Sequence, residues 1–232
     1  MFFKPRPISK LNMRPPSPQA SRFGVAIVAI VKNEGRFIKE WALFHALAGV
    51  RHFYIYDNGS TDDTCEKLNL ALPHEAVTII PWDQSLTSGR GGSELHNQVL
   101  AFAHALANYG GAFRWMAFID VDEFIVPKMH NSIDDALSEV SEAAHISLPW
   151  HMFGRSGHEA TPAGGIVKNF LKRMKNRGRV TQVGIMQKEA LFSPPYRIIV
   201  AIKIFFNSNP VKRTCSSNKT MNFIALLNQE LS

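Results

Sequence analysis

The sequence predicts an α/β protein with a mainly parallel sheet covered by helices on both faces. Short apolar runs rich in β-branched residues alternate with amphipathic helical patterns, and Gly, Asn, Asp and Ser separate them. The 232 residues, 45% of them hydrophobic, suffice for one such domain. Strands that alternate with helices imply right-handed crossovers and parallel pairing.

The first strand and the first helix carry the strongest patterns. Residues 25–31 (VAIVAIV) form a continuous β-branched run, which is typical of a strand buried on both faces. In residues 36–49, aromatic and aliphatic residues recur at spacings of three and four. This spacing predicts an amphipathic helix with Gly49 at its C-terminal cap.

The later elements follow the same alternation. Ser60 and Asp63 have the spacing of an acidic capping box, which predicts a helix running to about Leu70. A Gly- and Ser-rich loop at 85–94 precedes the next helix. The further predicted elements are strands at 52–57, 77–81, 115–119 and 145–150, helices at 95–108 and 133–140, and a strand within 198–206.

The net charge of +7 is distributed unevenly along the chain. Residues 1–23 carry +5 and residues 166–232 carry +10, whereas residues 24–165 carry −8. Basic ends on an acidic body are typical of solvated tails or of weak attraction to anionic lipid. We therefore predict no nucleic-acid partner, and we expect at most peripheral contact with an anionic membrane.

The sequence predicts neither a membrane span nor a disulfide framework. No apolar run approaches the roughly 18 to 20 residues of a spanning helix, and prolines interrupt the N-terminal region where a signal peptide would be apolar. Cys65 and Cys215 are far apart and have no metal-ligand spacing. We therefore expect a cytoplasmic protein in a reducing compartment, with peripheral attachment at the inner face of the membrane as an option.

Polar and acidic residues follow three of the predicted strands. The segment 31–35 (VKNEG) follows the first strand, Asp57 ends the second, and Asp120 and Asp122 follow the fourth. Ligands of open parallel sheets lie at the carboxyl ends of the strands, near the point where the strand order reverses. We therefore expect the three segments to converge at one edge of the sheet.

The Asp120-Val121-Asp122 segment is a candidate cation site. Alternate residues of an extended segment share a face, so both carboxylates can point at one hard cation. Two carboxylates and several waters suit Mg²⁺ or Mn²⁺ shared with a diphosphate. The alternative is a solvated strand end without a ligand, but like charges beside an apolar strand are costly unless a cation neutralises them.

Asp57 has two interpretations. Its carboxylate can accept a hydrogen bond from the imide N–H of uracil or guanine, with residues 58–61 forming a turn into a helix N-terminus. Alternatively, residues 57–63 form only a turn with a helix cap. The residues themselves leave both interpretations open.

Two segments, 28–64 and 114–127, resemble glycosyltransferases of families 2 and 92 with the GT-A fold. Residues 98–106 and 148–159 continue the similarity, which covers about residues 24–170. The resemblance implies a Rossmann-like, GT-A-type sheet and metal-dependent transfer of a sugar to an acceptor hydroxyl, with inversion. It implies a nucleotide-diphospho-sugar donor, with a UDP-sugar as the first candidate. It also implies a glycan or lipid-linked acceptor in polysaccharide biosynthesis.

The resemblance also implies roles for individual residues. Asp57 is implied to bind the nucleotide base, with Lys32 and Asn33 in the same nucleotide pocket. Asp120 is implied to bind the ribose or the metal, and Asp122 to bind Mn²⁺ or Mg²⁺ beside the diphosphate.

The acceptor hydroxyl must lose its proton to a base on the opposite face of the sugar. By sequence order, Glu159 and His158 are the first candidates, and Glu123 competes with them. A His–Glu pair in a loop more often bonds only to the backbone, so the alternative to a catalytic role stays open.

The resemblance runs out beyond about Lys172. We therefore predict a basic, proline-rich tail at 1–22, a catalytic domain at 23–170 and a divergent basic segment at 171–232. No histidine follows His158, whereas related enzymes often supply a late histidine to the metal.

Two other functions compete with sugar transfer. One is a truncated, catalytically impaired homologue that binds nucleotide sugar or glycan without transfer, which the C-terminal departure favours. The other is a phosphatase with Asp120 as nucleophile and Asp122 as acid/base. Its D-x-D motif usually follows the first strand, whereas here the motif follows the fourth.

Overall fold

The computed structural model describes residues 15–88, 93–94, 96–140, 145–148, 153–154, 156–160, 162–172 and 198–200. Strands and helices alternate along the chain as predicted. The strands are β1 (Val25–Val31), β2 (Val50–Asp57), β3 (Val77–Pro81), β4 (Thr87–Ser88), β5 (Ser93–Glu94), β6 (Trp115–Phe118), β7 (His145–Ser147) and β8 (Ile198–Val200). The helices are α1 (Ile38–Leu47), α2 (Thr64–Ala71), α3 (Asn97–Tyr109), α4 (Ile133–Ser138) and α5 (Ile166–Asn169), with a 3-10 turn at His74–Ala76.

Within the described residues, the central sheet has six strands in the order β3-β2-β1-β6-β8-β7. All its described pairings are parallel, which confirms the predicted α/β, Rossmann-like architecture. β4 and β5 form a separate antiparallel pair. The chain builds outward from β1 through β2 to β3 and then returns to the other side of β1 with β6, so the strand order reverses between β1 and β6. A crevice is expected at their carboxyl ends.

Both faces of the sheet are buried against helices. Successive side chains of β1 point to opposite faces and enter two different hydrophobic clusters. Trp41 of α1 and Leu68 of α2 pack in the first cluster, whereas Ala101 and Leu106 of α3 pack in the second. The prediction of helices on both faces is therefore confirmed.

The ends of α1 and α2 give one confirmation and one correction. Gly49 follows α1 with a φ of +95°, as predicted for a glycine at a helix C-terminus. At the start of α2, however, Asp63 makes no capping bond and instead pairs with Lys67 at 2.8 Å. Ser60 Oγ accepts a hydrogen bond from the Asn33 N–H at 3.0 Å. The predicted capping box is therefore wrong, because the serine hydroxyl joins two loops instead of closing its own helix.

The C-terminal part of the chain contributes to the central sheet. Ile198–Val200 forms β8 between β6 and β7, within the predicted strand at 198–206. The rest of that predicted strand, residues 201–206, lies outside the described residues. So do residues 1–14, 89–92, 149–150, 173–197 and 207–232, the last of which include Cys215. In the part of the chain that is described, no helix is long and apolar enough to cross a membrane.

His45 joins α1 to the segment that follows β6. It is fully buried; its Nδ1 lies 2.9 Å from the Trp41 carbonyl oxygen, and its Nε2 accepts a hydrogen bond from the Ile125 N–H at 3.1 Å. These partners select the neutral tautomer with its proton on Nδ1. Burial lowers the pKa of His45 from 6.5 to about 4, against the opposing effect of the bond to Trp41.

We predict that this histidine makes the fold acid-sensitive. The unfolded chain protonates His45 near pH 6.5 and the folded chain only near pH 4, so between these values the unfolded state binds more protons. As the pH is lowered from about 6.5 to about 4, this group should therefore reduce the free energy of unfolding by up to about 1.4 kcal/mol per pH unit. Urea denaturation at about pH 7 and about pH 4.5 measures the effect. Wild type should lose more stability than His45→Gln, and equal losses would contradict the assignment.

Candidate active site

A cavity of about 340 Å³ lies at the carboxyl ends of β1 and β6, where the strand order reverses. Its walls come from the end of β1, the loop after it, the segment after β6, and α5. The convergence predicted for the segments after the first and fourth strands is thus confirmed. The described residues that line the cavity are Ile30, Glu34, Phe37, Asp120, Val121, Asp122 and Ile166.

Three carboxylates border this cavity, those of Glu34, Asp120 and Asp122. Burial raises the pKa of Glu34, and the negative charges of Asp122, Asp62 and Asp120 raise it further. The carboxylates therefore repel one another in a partly dry environment, a cost that a divalent cation would remove. Among the described residues no group of three or more His, Cys, Asp or Glu has a metal-binding arrangement, so metal binding by Asp120 and Asp122 stays a prediction.

Asp120 is held by two neighbours that the sequence did not reveal. Its Oδ1 accepts a hydrogen bond from Gln98 Nε2 at 2.6 Å, and its backbone N–H donates to Glu123 Oε2 at 3.0 Å. Gln98 lies in the first turn of α3. In the sequence, its role is indicated only by a polar side chain at the start of the helix that precedes β6. The Asp120 carboxylate is therefore oriented before any ligand binds.

Glu123, a predicted candidate for the catalytic base, is buried, with 3% of its surface exposed. Its carboxylate accepts the Asp120 N–H, and its carbonyl oxygen accepts a hydrogen bond from Trp41 Nε1 at 2.9 Å. It is not among the described residues that line the cavity. Through these contacts Glu123 supports the turn after β6, and a catalytic role for it stays a prediction.

The loops that follow β1 and β2 are joined by a network of hydrogen bonds. Asn33 has a φ of 56°, a left-handed conformation that asparagine tolerates better than most residues. Its Oδ1 accepts the Thr61 N–H at 2.8 Å, and the Gly35 N–H donates to Asp62 Oδ2 at 3.0 Å. A Cβ at Gly35 would overlap Asp63 Oδ1 and lie 2.8 Å from the same Asp62 oxygen, so a larger residue would displace these carboxylates. Asn33 thus holds the two loops together.

The structure supports the turn interpretation of Asp57. Its Oδ1 accepts the Ser60 N–H at 3.0 Å, and its charge adds to the effect of burial in raising the pKa of the Cys65 thiol. Lys32 is exposed at the end of β1. Lys32, Asn33 and Asp57 are all absent from the described lining of the cavity. Their nucleotide-binding roles stay predictions.

His158 lies close to the C-terminal end of α5. His158 Nε2 is 3.3 Å from the Asn169 carbonyl oxygen, and its ring packs edge-on against Phe170. Glu159 is exposed. Neither residue belongs to the cavity lining as far as the chain is described. The contact of His158 with the backbone is the kind of bond expected if the His–Glu pair has no catalytic role. A catalytic role for either residue stays a prediction.

The sheet is parallel, has helices on both faces and has an acidic crevice at the point where the strand order reverses. These features define the class of Rossmann-like α/β proteins that bind ligands at that edge of the sheet. Within this class, the chain belongs to glycosyltransferase family 92, whose family model matches residues 23–222. The match extends well beyond Lys172, so the prediction that the resemblance ends there is wrong. Local motifs could not show this, because β8 belongs to the sheet only through pairing with distant strands.

Three plant proteins illustrate the relationship. A glycosyltransferase family 92 protein of Ricinus communis is 31% identical over 182 residues, which cover 75% of this chain and 30% of that protein. One of Oryza sativa subsp. japonica is 29% identical over 156 residues, or 65% of this chain and 25% of that protein. A galactan beta-1,4-galactosyltransferase of Arabidopsis thaliana is 29% identical over 114 residues, or 48% of this chain and 21% of that protein. The alignments thus span less than a third of each relative's length.

Proposed function

We propose that this chain carries the donor site of a GT-A-type glycosyltransferase. It would transfer a sugar from a nucleotide-diphospho-sugar to an acceptor hydroxyl with a divalent cation at Asp122. The observation that carries the proposal is the convergence of Glu34, Asp120 and Asp122 at the switch-point cavity. Membership of family 92 supports the same reaction class.

The residues at the cavity fit a hard cation. Asp120 and Asp122 would hold Mn²⁺ or Mg²⁺, since both ions prefer oxygen ligands and the site has an excess of negative charge. When bound, the ion supplies Lewis-acid stabilisation of the departing diphosphate. Gln98 keeps the Asp120 carboxylate in one orientation through its 2.6 Å hydrogen bond. The carboxylate therefore loses its rotational freedom when the protein folds, and not when the cation binds.

The apolar part of the cavity complements this charge. Ile30, Phe37, Val121 and Ile166 also line the crevice. A ligand that covers these apolar side chains would displace water, and the lower local dielectric would strengthen electrostatic interactions with the diphosphate. In this proposal Lys32, Asn33 and Asp57 contact the nucleotide beside the crevice.

A base must take the proton of the acceptor hydroxyl if the sugar inverts by direct displacement. Glu159 is the better candidate of the two glutamates, because its side chain is exposed and accessible to an acceptor. Glu123 is buried, and its carboxylate already accepts the Asp120 N–H. His158 is the alternative to Glu159, since it precedes Glu159 directly in the chain and an imidazole can also act as a general base.

The galactan beta-1,4-galactosyltransferase among the relatives supports transfer of a galactosyl group to a glycan acceptor, and the family resemblance implies a UDP-sugar as the donor. The test is release of nucleoside diphosphate from a panel of sugar nucleotides that includes UDP-galactose, with galactan oligosaccharides as acceptors. The proposal predicts release that requires Mn²⁺ or Mg²⁺. Tight binding without release across the panel would favour the non-transferring alternative. The absence of both binding and release would contradict a donor site.

A further inference from the structure

Glu40, in the first turn of α1, is a buried carboxylate, with only 5% of its surface exposed. Its Oε2 accepts a hydrogen bond from the Ile166 N–H, and its Oε1 accepts one from the Val167 N–H at 3.0 Å. These N–H groups open α5, where helical backbone donors have no partner of their own. Burial raises the pKa of Glu40, while the two N–H groups favour its charged form. Glu40 thus satisfies two donors that lie about 126 residues away in the sequence.

Gly165 makes this close approach possible. A Cβ at position 165 would overlap the Glu40 carboxyl group, whose three terminal atoms would be its nearest neighbours. Because a larger residue would push the carboxylate away, the contact requires both the acid on α1 and the glycine before α5. A substitution on either side should break it.

Residues 162–169, here called the wall segment, are held at further points. Arg36 Nη2, just before α1, donates a hydrogen bond to the Pro162 carbonyl oxygen at 2.6 Å. Asn169 Nδ2 donates to the carbonyl oxygens of Ala163 at 3.0 Å and Gly165 at 2.9 Å. The wall segment is therefore folded on itself and bonded to the start of α1 at two places, Pro162 and Ile166–Val167.

The wall segment also borders the cavity. Ile166, whose N–H is bound by Glu40, lines the same cavity as the sheet-edge residues Asp120 and Asp122. Phe37 of the α1 entrance lines it as well. A shift of Ile166 would consequently change the width of the crevice, although Glu40 itself is not among the described lining residues.

We propose that Glu40 is a positioning residue that fixes the wall segment and thereby sets the affinity of the cavity for its nucleotide ligand. This inference rests on the proposed donor site. A carboxylate suits the task because each of its oxygens accepts one N–H. Glutamine offers one carbonyl oxygen and would oppose the second N–H with its own NH₂ group.

The test uses two variants that break the contact from opposite sides, Glu40→Gln and Gly165→Ala. Lys39→Gln is the matched control, because Lys39 is exposed on the same turn of α1. Hydrogen exchange of the wall-segment amides reports the contact directly. Calorimetry reports the Kd for whichever of UDP, GDP, CDP and ADP binds wild type with Mn²⁺.

Both variants should exchange the amides of Ile166 and Val167 faster and bind the nucleotide about tenfold more weakly. Lys39→Gln should match wild type in both measurements. Unchanged exchange, or faster exchange with an unchanged Kd, would overturn the inference, because a merely structural role lowers stability without changing the Kd of the folded protein. Failure of wild type to bind any of the four nucleotides would overturn the donor site, and this inference with it. Binding by wild type with equal binding by both variants would overturn only the inference.

Discussion

Asp122→Asn is expected to lower kcat for sugar transfer by about 100- to 1,000-fold. The substitution keeps the size of the side chain but removes one of the charges that would hold the cation beside the diphosphate. Loss of a preorganised electrostatic contact to a developing charge typically has an effect of this size. Release of nucleoside diphosphate over a range of Mn²⁺ concentrations measures it.

The matched control for this prediction is Asp134→Asn. Asp134 is an exposed acid in the first turn of α4, so the same chemical change is made outside the cavity. It should leave kcat close to that of wild type. If Asp122→Asn retained kcat within about twofold of wild type, Asp122 would not serve as the metal ligand.

His45→Ala is expected to lower the free energy of unfolding by about 3 kcal/mol. The substitution leaves a cavity beside Trp41, whose ring centroid is 5.0 Å from that of the histidine, and beside Phe124 at 5.8 Å. It also leaves the Ile125 N–H without its buried acceptor. Urea denaturation at neutral pH measures the loss.

Two further variants locate the cause of this loss. His74→Ala changes an exposed histidine in the 3-10 turn and should alter stability by less than about 0.5 kcal/mol. His45→Gln keeps a polar side chain near both backbone groups and should retain more stability than His45→Ala. A loss below about 1 kcal/mol for His45→Ala would show that the bridge from α1 to the segment after β6 contributes little.

The predictable part of the fold is the part encoded in local pattern. The β-branched run at 25–31 and the spacing of apolar residues in α1 depend on neighbours in sequence, and both elements formed where expected. The capping box at Ser60 failed because a distant group, the Asn33 N–H, competes for the same hydroxyl. β8 could be predicted as a strand, but its place between β6 and β7 depends on pairing that no local pattern contains.

The candidate site divides in the same way. Convergence of the acidic segments followed from the rule for parallel sheets, which depends only on strand order. The direction of each side chain did not follow, because loop conformation is set by tertiary hydrogen bonds. Asp57 therefore bonds to its own turn, whereas Glu34, to which no role was given, borders the cavity. Glu40 and Gln98 were missed because their partners lie in distant segments.

The central claim is that the crevice between β1 and β6 binds a nucleoside diphosphate through a cation at Asp122. The most direct measurement is the melting temperature of wild type and Asp122→Asn with UDP, GDP, CDP or ADP, each with and without Mn²⁺. A ligand at about one hundred times its Kd stabilises the folded state by roughly 2.7 kcal/mol, which gives a clear shift. We predict a shift for one nucleotide that requires Mn²⁺ and disappears in Asp122→Asn. No shift with any nucleotide, or an equal shift in Asp122→Asn, would contradict the claim.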